Sequence, residues 1–271
     1  MTLVLITGAT RGIGEAAALE FARGGAELAI VGRDRERVAA VAVACRNVGA
    51  APVYEHVADL SLMSEVRALA KHARESYGHI DVLANNAGAI FRRREVTAEG
   101  FERTFALNHL APFLLTNLLR DRLAGAQVIT TSSDAHRMGL LDLDDLQSEK
   151  AYTRRVYGTT KLCNILFTRE LARRAGELRA NSFHPGVVRT GFARNEGGLV
   201  KLAVMLASPF LRSPAHGARS LLWLATAPPA ASLNGSYVVD EKVVQPSLQA
   251  QDETLALELW ERSAELVGLP T

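Results

Sequence analysis

Apolar and polar positions along the chain follow two periods in turn. Met1 to Thr7 (MTLVLIT) is a short, almost continuously apolar run closed by Gly8. A run apolar on both faces predicts a strand buried in a parallel sheet. Ile13 to Arg23 has helical spacing, Ala26 to Val31 (AELAIV) is a second strand, and Asp34 to Val48 is a second helix. Pro52 to Val57 is a third strand. Ser61 is placed to cap the next helix, which ends near Gly78 with Glu65 in its first turns. Ile80 to Ala84 is a fourth strand, ending in Asn85-Asn86-Ala87-Gly88. A long helical stretch, Ala98 to Leu123, leads to a fifth strand, Gln127 to Thr131. An irregular loop from Ser133 to Lys150 precedes a helix running to Ala175, and a sixth strand leads to His184-Pro185-Gly186. A helix near Ala215 to Ala227, a strand at Ser236 to Val239 and an amphipathic helix over Asp252 to Val267 complete the pattern.

Strands alternating with helices of this length form βαβ units. Right-handed crossovers assemble them into a parallel sheet with helices on both faces. The expected fold is α/β: one doubly wound domain over residues 1–271, with seven parallel strands. No internal repeat, low-complexity stretch or linker divides it. Ligands of such sheets bind beyond the carboxyl ends of the strands, where the strand order reverses. A motif therefore gains weight when it directly follows a strand.

Composition narrows the picture. With 48% hydrophobic and 22% charged residues, the chain has the make-up of a soluble globular protein. A formal charge of +2 gives no strong pull toward nucleic acid or acidic membranes. Arg92-Arg93-Arg94 reads as a solvated surface turn. Cys45 and Cys163 lack disulfide or metal-ligand spacing and read as small buried hydrophobes. The first strand begins almost at Met1, so no signal peptide is expected. No apolar run is long enough to span a bilayer, and a cytoplasmic location is expected. His109, His136 and His184 have no metal-site spacing, and Asp142, Asp144 and Asp145 read as a solvated loop or helix cap, so no metal is expected.

Thr7-Gly8-Ala9-Thr10-Arg11-Gly12-Ile13-Gly14 lies between the first strand and the first helix. Gly8 suits a tight reversal, Gly12 a backbone that closely approaches a pyrophosphate, and Gly14 a helix packed hard on its strand. The helix N-terminus offers N–H groups and partial positive charge to phosphates. A dinucleotide cofactor is the expectation, with Gly8, Thr10, Arg11, Gly12, Ile13 and Gly14 at its phosphates. At the end of the second strand an acidic residue would hold the free ribose hydroxyl of NAD. This chain has Val31-Gly32-Arg33-Asp34, with Gly32 at the strand end. Arg33 and Arg11 can hold a 2′-phosphate bidentately, which favours NADP(H) over NAD(H). A shift of one residue would instead bring Asp34 to the ribose.

Tyr157-Gly158-Thr159-Thr160-Lys161 starts a helical pattern, and residues four apart share a helix face. A free tyrosine titrates near ~10 and a lysine near ~10.4. A nearby ammonium and a cationic nicotinamide lower the tyrosine pKa. Tyr157 can then give a proton to a carbonyl oxygen or take one from an alcohol. Thr131-Ser132-Ser133 ends the fifth strand. A hydroxyl there can hydrogen-bond a substrate oxygen as charge develops on it. Ser133, one step further out of the sheet, is the first candidate and Ser132 the alternative. Asn108 lies in the long helix, four residues before Pro112. Pro112 has no N–H, so the Asn108 carbonyl loses its helical partner and can hold a water linking Lys161 to solvent.

Together these residues resemble the short-chain dehydrogenase/reductase family, over essentially the whole chain. The resemblance rests on TGATRGIG (Thr7 to Gly14), Asp59, NNAG (Asn85 to Gly88), Asn108, the Ser133–Tyr157–Lys161 set, and HPGVVRT (His184 to Thr190). It implies a Rossmann-like fold with Asp59 at the adenine and Leu60 beside it on the cofactor. It implies that Asn86, Ala87 and Gly88 line the cofactor, and that Lys161 and Tyr157 meet the nicotinamide ribose. Pro185, Gly186, Val188 and Thr190 would contact the nicotinamide and its amide. Within the family, SSDAHRMG (Ser132 to Gly139), the segment Asp142 to Leu171 and HPGVVRT are most similar to the retinol dehydrogenase-like and WW-domain oxidoreductase-like branch. Neither the membrane anchor of many such enzymes nor a WW domain is read here. The branch is similar to protochlorophyllide reductases, which use an equivalent Tyr–Lys pair on a C=C bond.

Substrate choice is expected in Gly191 to Arg212, where Gly197-Gly198 is a candidate hinge and Leu199 to Leu211 a short apolar lid. The same residues also suit core or a subunit interface. An apolar lid favours an apolar substrate, since burial is worth roughly 25 cal/mol per Å2. Phe91, Phe192, Met205 and Phe210 are candidate pocket walls. The expected function is NADPH-dependent hydride transfer to or from a carbonyl or alcohol carbon of an apolar small molecule. Two alternatives stay open: a C=C reductase with the same Tyr–Lys pair, and a non-catalytic NADP(H)-binding regulator, which would have no need of a proton donor. Homo-oligomers are common in the family, and a homo-oligomer is open here too.

Overall fold

The computed structural model of the protein describes residues 2–49, 52–153, 155–186 and 212–270. The chain begins β1 (Leu3–Thr7), α1 (Gly12–Arg23), β2 (Glu27–Gly32), α2 (Arg35–Gly49), β3 (Val53–Val57), α3 (Met63–Ser76) and β4 (Val82–Asn85). It continues through α4 (Arg103–Phe105), a π-helical turn (Ala106–Leu110) and α5 (Ala111–Leu118) to β5 (Gln127–Thr131). Then come α6 (Arg155–Arg174), β6 (Arg179–His184), α7 (Pro214–Thr226), β7 (Tyr237–Val239), β8 (Lys242–Val243) and α8 (Glu253–Leu266).

All five residues of β1 are buried, as expected of a strand covered on both faces. Alternate side chains go to opposite sides. Leu3 and Leu5 join Val66, Leu114, Leu162 and Leu259 in one core, beneath α3, α5, α6 and α8. Val4 and Ile6 join Ala17, Phe21, Val38 and Leu221 in the other, beneath α1, α2 and α7. Each buried Leu or Ile contributes roughly 1.5–3 kcal/mol. The strand order is β3-β2-β1-β4-β5-β6-β7-β8. The winding reverses between β1 and β4, so the carboxyl ends of β1, β4, β5 and β6 surround one crevice.

The doubly wound architecture matches the sequence expectation, with local corrections to the sheet and its helices. Among the described residues the sheet has eight strands, not seven: β8 pairs antiparallel with β7 through Val238–Val243 and Val239–Lys242. Two residues long, β8 is too short to register as a periodic signal. The helix expected from Ala98 begins only at Arg103. Gly100 turns the chain at φ +88°. The buried Glu102 carboxylate then caps the helix, accepting the N–H groups of Thr104 and Phe105 at 2.8 and 2.7 Å.

Pro112 does not simply kink this helix. Lacking the N–H that the Asn108 carbonyl would use, it is accommodated by a wider turn in which Ala111 N–H donates to Ala106 O, five residues back. Ser61 is not the cap of α3, whose N-cap is Leu62. The Glu99 carboxylate, from a distant loop, instead accepts the N–H groups of Met63 and Ser64 at 2.5 and 2.9 Å. Among the described residues no helix is long and apolar enough to cross a membrane.

Candidate active site

The turn after β1 has the conformation its glycines predict. Gly8 and Gly12 have φ of +66° and +57°, a region that favours glycine. Gly14 is packed so tightly that a Cβ there would lie 2.3 Å from Gly8 O and 2.5 Å from Asn86 Nδ2. Arg11 is the N-cap of α1 and supplies no side-chain cap. The first N–H groups of this twelve-residue helix therefore keep their capacity for an anion. These features fit a pyrophosphate. Thr10 packs at the adjoining edge: a Cβ on Gly32 would come within 2.4 Å of its methyl group. Ile13 is buried in the core beneath α1.

The turn after β4 is latched to the turn after β1. Thr7 Oγ1 accepts the N–H groups of Asn86 and Ala87 at 2.9 and 3.1 Å and donates to Ala84 O at 3.2 Å. Asn86 Nδ2 donates to Thr7 O and Gly8 O at 3.0 and 3.3 Å. Thr7 opens the glycine motif, but the role of its hydroxyl is not evident from the motif. Its signal is a lone hydroxyl in an otherwise apolar strand.

At the far end of the crevice the two residues after β2 separate in role. Arg33 is exposed and makes no ion pair among the described residues. Asp34 is engaged by α2: its carboxylate accepts Arg37 N–H at 3.2 Å and pairs with the Arg37 guanidinium at 3.0 Å. Asp59 follows β3. Burial pushes its carboxyl up, but the hydroxyl and N–H of Ser61, helped by the charges of Arg103 and Arg33, outweigh this and hold it below the usual carboxylate range. The Leu60 side chain is buried in the core, which leaves only its backbone for the crevice.

Tyr157 and Lys161 lie one turn apart near the start of α6. The Lys161 ammonium sits 5.6 Å from the centre of the Tyr157 ring and donates to Thr131 O at 2.9 Å. Asn164, the next turn on, donates to the same carbonyl at 3.2 Å. A Cβ on Gly88 would lie 3.1 Å from Asn108 Oδ1 and 3.5 Å from Lys161 Nζ, so Gly88 leaves room directly over both. The Asn108 side chain is fully engaged. Its Oδ1 accepts Ala89 N–H at 2.8 Å, and its Nδ2 donates to Ala89 O and Thr160 Oγ1 at 2.9 and 3.1 Å. It thus ties the loop after β4 to α6.

The two serines after β5 diverge. Ser132 is buried and donates to Lys161 O at 2.8 Å. Ser133 is half-buried, and its hydroxyl lies close enough to the Tyr157 phenol to favour the phenolate. Tyr157 keeps part of its surface open, but close packing around the phenol pushes its pKa up to about 12, with the Ser133 hydroxyl only partly opposing this. Burial lowers Lys161 to about 8. The lowering of the tyrosine pKa expected from the nearby ammonium is outweighed. In the structure burial dominates, because the ammonium lies against the ring face and is engaged by Thr131 O.

His184 closes β6 and pairs with Asp134 at 3.5 Å. Pro185 and Gly186 follow it. Gly186 has φ +80°, and a Cβ there would meet the Arg212 side chain at 2.4 Å. Arg212 is held by Asp240 through two hydrogen bonds. Val188 and Thr190 lie outside the described residues, as do residues 191–211, including Phe192, Met205 and Phe210. Phe91 is half-buried, covered by the Arg103 guanidinium 4.6 Å from its ring centre.

A family model for short chain dehydrogenases matches residues 2–198. The chain is 46% identical over 268 residues to the protein titled "Putative daunorubicin C-13 ketoreductase DnrU" of Streptomyces sp. (strain C5), covering 98% of this chain and 92% of that one. It is 38% identical over 282 residues to human retinol dehydrogenase 13, covering 98% and 84%. A crystal structure of an uncharacterized protein from Mycobacterium Paratuberculosis superposes with a TM-score of 0.81 at 32% identity, covering 100% and 96%.

The chain belongs to the short-chain dehydrogenase/reductase family, in its retinol dehydrogenase-like branch. It is an oxidoreductase of the type that acts on carbonyl or alcohol groups.

Proposed function

We propose that the protein is an NADPH-dependent reductase of an apolar ketone or aldehyde, with Tyr157 as proton donor. The observation that carries this reading is the meeting of Ser133, Tyr157 and Lys161 in one crevice, beneath the room left by Gly88. NADPH, when bound, supplies the hydride.

The chain's own groups would do the rest. Ser133 would hydrogen-bond the substrate oxygen and hold it at the phenol. Tyr157, protonated throughout the neutral range with its pKa near 12, would deliver the proton as negative charge grows on that oxygen. Lys161 is held at Thr131 O, from where it would hold the ribose hydroxyls and keep positive charge near the phenol. Asn108 would keep Lys161 and the loop after β4 in register. The N-terminus of α1, with Gly8, Gly12 and Gly14, would hold the pyrophosphate. Asn86 and Ala87 would line the cofactor. Asp59 would accept from the adenine, and Pro185 and Gly186 would flank the nicotinamide.

The preference for NADP(H) is supported by the division of labour after β2. Asp34, the residue that would hold the ribose of NAD, is engaged at the start of α2, while Arg33 is exposed and available to a 2′-phosphate. An apolar carbonyl substrate is supported by relatives named for a ketoreductase and a retinol dehydrogenase. It is also supported by Met138 and Leu140, which are 68% and 65% exposed on the segment that follows Ser133. The test is NADPH consumption with polycyclic ketones, retinal and short polar aldehydes. Faster turnover of the apolar carbonyls with NADPH than with NADH supports the reading; equal use of both cofactors, or a preference for polar aldehydes, overturns it.

A further inference from the structure

Ser133 stands at the start of a short 3-10 turn, Asp134–Met138, and its Oγ accepts the N–H of Ala135 at 3.2 Å. The turn is pressed onto α6 beside Tyr157. A Cβ on Gly158 would lie 2.5 Å from Ala135 O, and one on Gly139 would lie 2.7 Å from the Gly158 carbonyl carbon. Where this turn sits therefore decides where the Ser133 hydroxyl meets the phenol.

His136 is the buried side chain of that turn, 1% exposed. Its Nδ1 lies 2.8 Å from Ser133 O. Its Nε2 lies 3.0 Å from the backbone N of Ser247, on the segment after β8. A backbone N–H only donates, so Nε2 must accept and carry no proton. A neutral imidazole then has its proton on Nδ1, which donates to the Ser133 carbonyl. Both bonds fit one state only, the neutral Nδ1–H tautomer. The ring stands edge-on to Tyr237 at 5.1 Å, and Tyr237 OH donates to Asp134 Oδ1 at 3.0 Å.

The charged and titratable groups around the ring are Asp134 and Arg137 on its own turn, His184 from β6 and Tyr237 from β7. Burial lowers the His136 pKa below the ordinary histidine value, although the Ser133 carbonyl and Asp134 pull the other way. Arg137 donates to Gln245 O at 3.0 Å, so the turn is tied to the segment after β8 at two points.

We propose that His136 is a positioning residue for the proton transfer: its neutral Nδ1–H imidazole, fixed in that tautomer by Ser247 N–H, sets the Ser133 hydroxyl against Tyr157. The proposal rests on the functional reading above. It adds that the segment Gln245–Ser247, remote in sequence, is part of the geometry of the acid/base step.

Two measurements test it. The first needs no turnover: the imidazole nitrogens of the native protein are assigned by long-range proton–nitrogen NMR at neutral pH. A neutral His136 with its proton on Nδ1 supports the proposal; an Nε2–H tautomer or a charged ring overturns it. The second is steady-state ketone reduction and NADPH binding by His136→Phe, His136→Asn and Ser247→Pro, with Tyr157→Phe as reference. Displacing a catalytic group by a fraction of an ångström lowers turnover steeply. We expect His136→Phe and Ser247→Pro to lower kcat by about ten- to a hundredfold, with KM and NADPH affinity changed less than about threefold. His136→Asn keeps a donor for Ser133 O, and we expect it to recover part of the kcat lost in His136→Phe. Unchanged kcat in His136→Phe overturns this proposal alone, provided that Tyr157→Phe is inactive. Parallel loss of kcat and NADPH affinity in all three variants shows a merely structural role and also overturns it. Reduction that persists in Tyr157→Phe overturns the functional reading and, with it, this proposal.

Discussion

The Lys161 ammonium lies against the face of the Tyr157 ring, 5.6 Å from its centre, and donates to Thr131 O at 2.9 Å. Both side chains are displaced from their ordinary titration, in opposite directions. The tyrosine rises to about 12 and the lysine falls to about 8. Burial disfavours the charged form of each, the phenolate in one case and the ammonium in the other.

This has a consequence for stability. The Lys161 pKa falls from 10.5 to about 8 on folding. Between those values the unfolded chain binds more protons, so this group makes stability rise with pH across that window, and its penalty is largest below it. The cofactor-free Lys161→Met variant should therefore be more stable than the native protein at neutral pH, by up to about 3 kcal/mol. Thr131 O would still accept from Asn164. The advantage should shrink as pH rises toward the ordinary lysine pKa. Thermal melts of both proteins across this pH range check it; a difference independent of pH would contradict the burial argument. Activity should be lost throughout.

Arg33 and Asp34 lead to a prediction on cofactor choice. Arg33→Ala should weaken NADPH binding by about ten- to a hundredfold, the worth of a charged hydrogen-bonded contact. NADH binding should change little. Asp34→Asn should leave cofactor preference largely intact, because that carboxylate serves α2. Fluorescence titration with both nucleotides distinguishes the two residues. A large switch in preference in Asp34→Asn would show that the acidic residue, not the arginine, reads the ribose.

The Thr7 hydroxyl latches the end of β1 to β4 and the turn after it, through one hydrogen bond to Ala84 O and two from the N–H groups of Asn86 and Ala87. Thr7→Val keeps the volume and removes the hydroxyl. Stranding the N–H groups of Asn86 and Ala87 should cost about 1–3 kcal/mol and weaken cofactor binding. Thr7→Ser should retain both properties. Chemical denaturation with a parallel binding titration checks this, and native-like behaviour of Thr7→Val would remove the latch from the account.

What the sequence reveals follows from the range of the interaction involved. The strands are legible because each is covered on both faces, as in the fully buried β1. The glycine turn is legible because its backbone angles exclude most other residues. Tyr157 and Lys161 are legible because one helix sets their spacing. The preference for Ser133 over Ser132 is legible from its place one step beyond the strand, whereas the bond that buries Ser132 on Lys161 O depends on how α6 packs on β5. Asp34 and Ser61 mislead or remain ambiguous for a similar reason. Both look like helix-start residues; Asp34 is one, but the cap of α3 comes from Glu99, a residue 36 positions from Met63. The role of His136 is not legible, because the partner that fixes its tautomer, Ser247, is 111 residues away.

The most direct test of the account is Tyr157→Phe, assayed for NADPH binding and for single-turnover reduction of an apolar ketone in the same preparation. The account predicts NADPH affinity within a few-fold of the native protein and a loss of reduction of about 10²- to 10⁴-fold, the usual worth of a positioned acid. A variant that still reduces the ketone at the native rate would contradict the assignment of Tyr157 as proton donor.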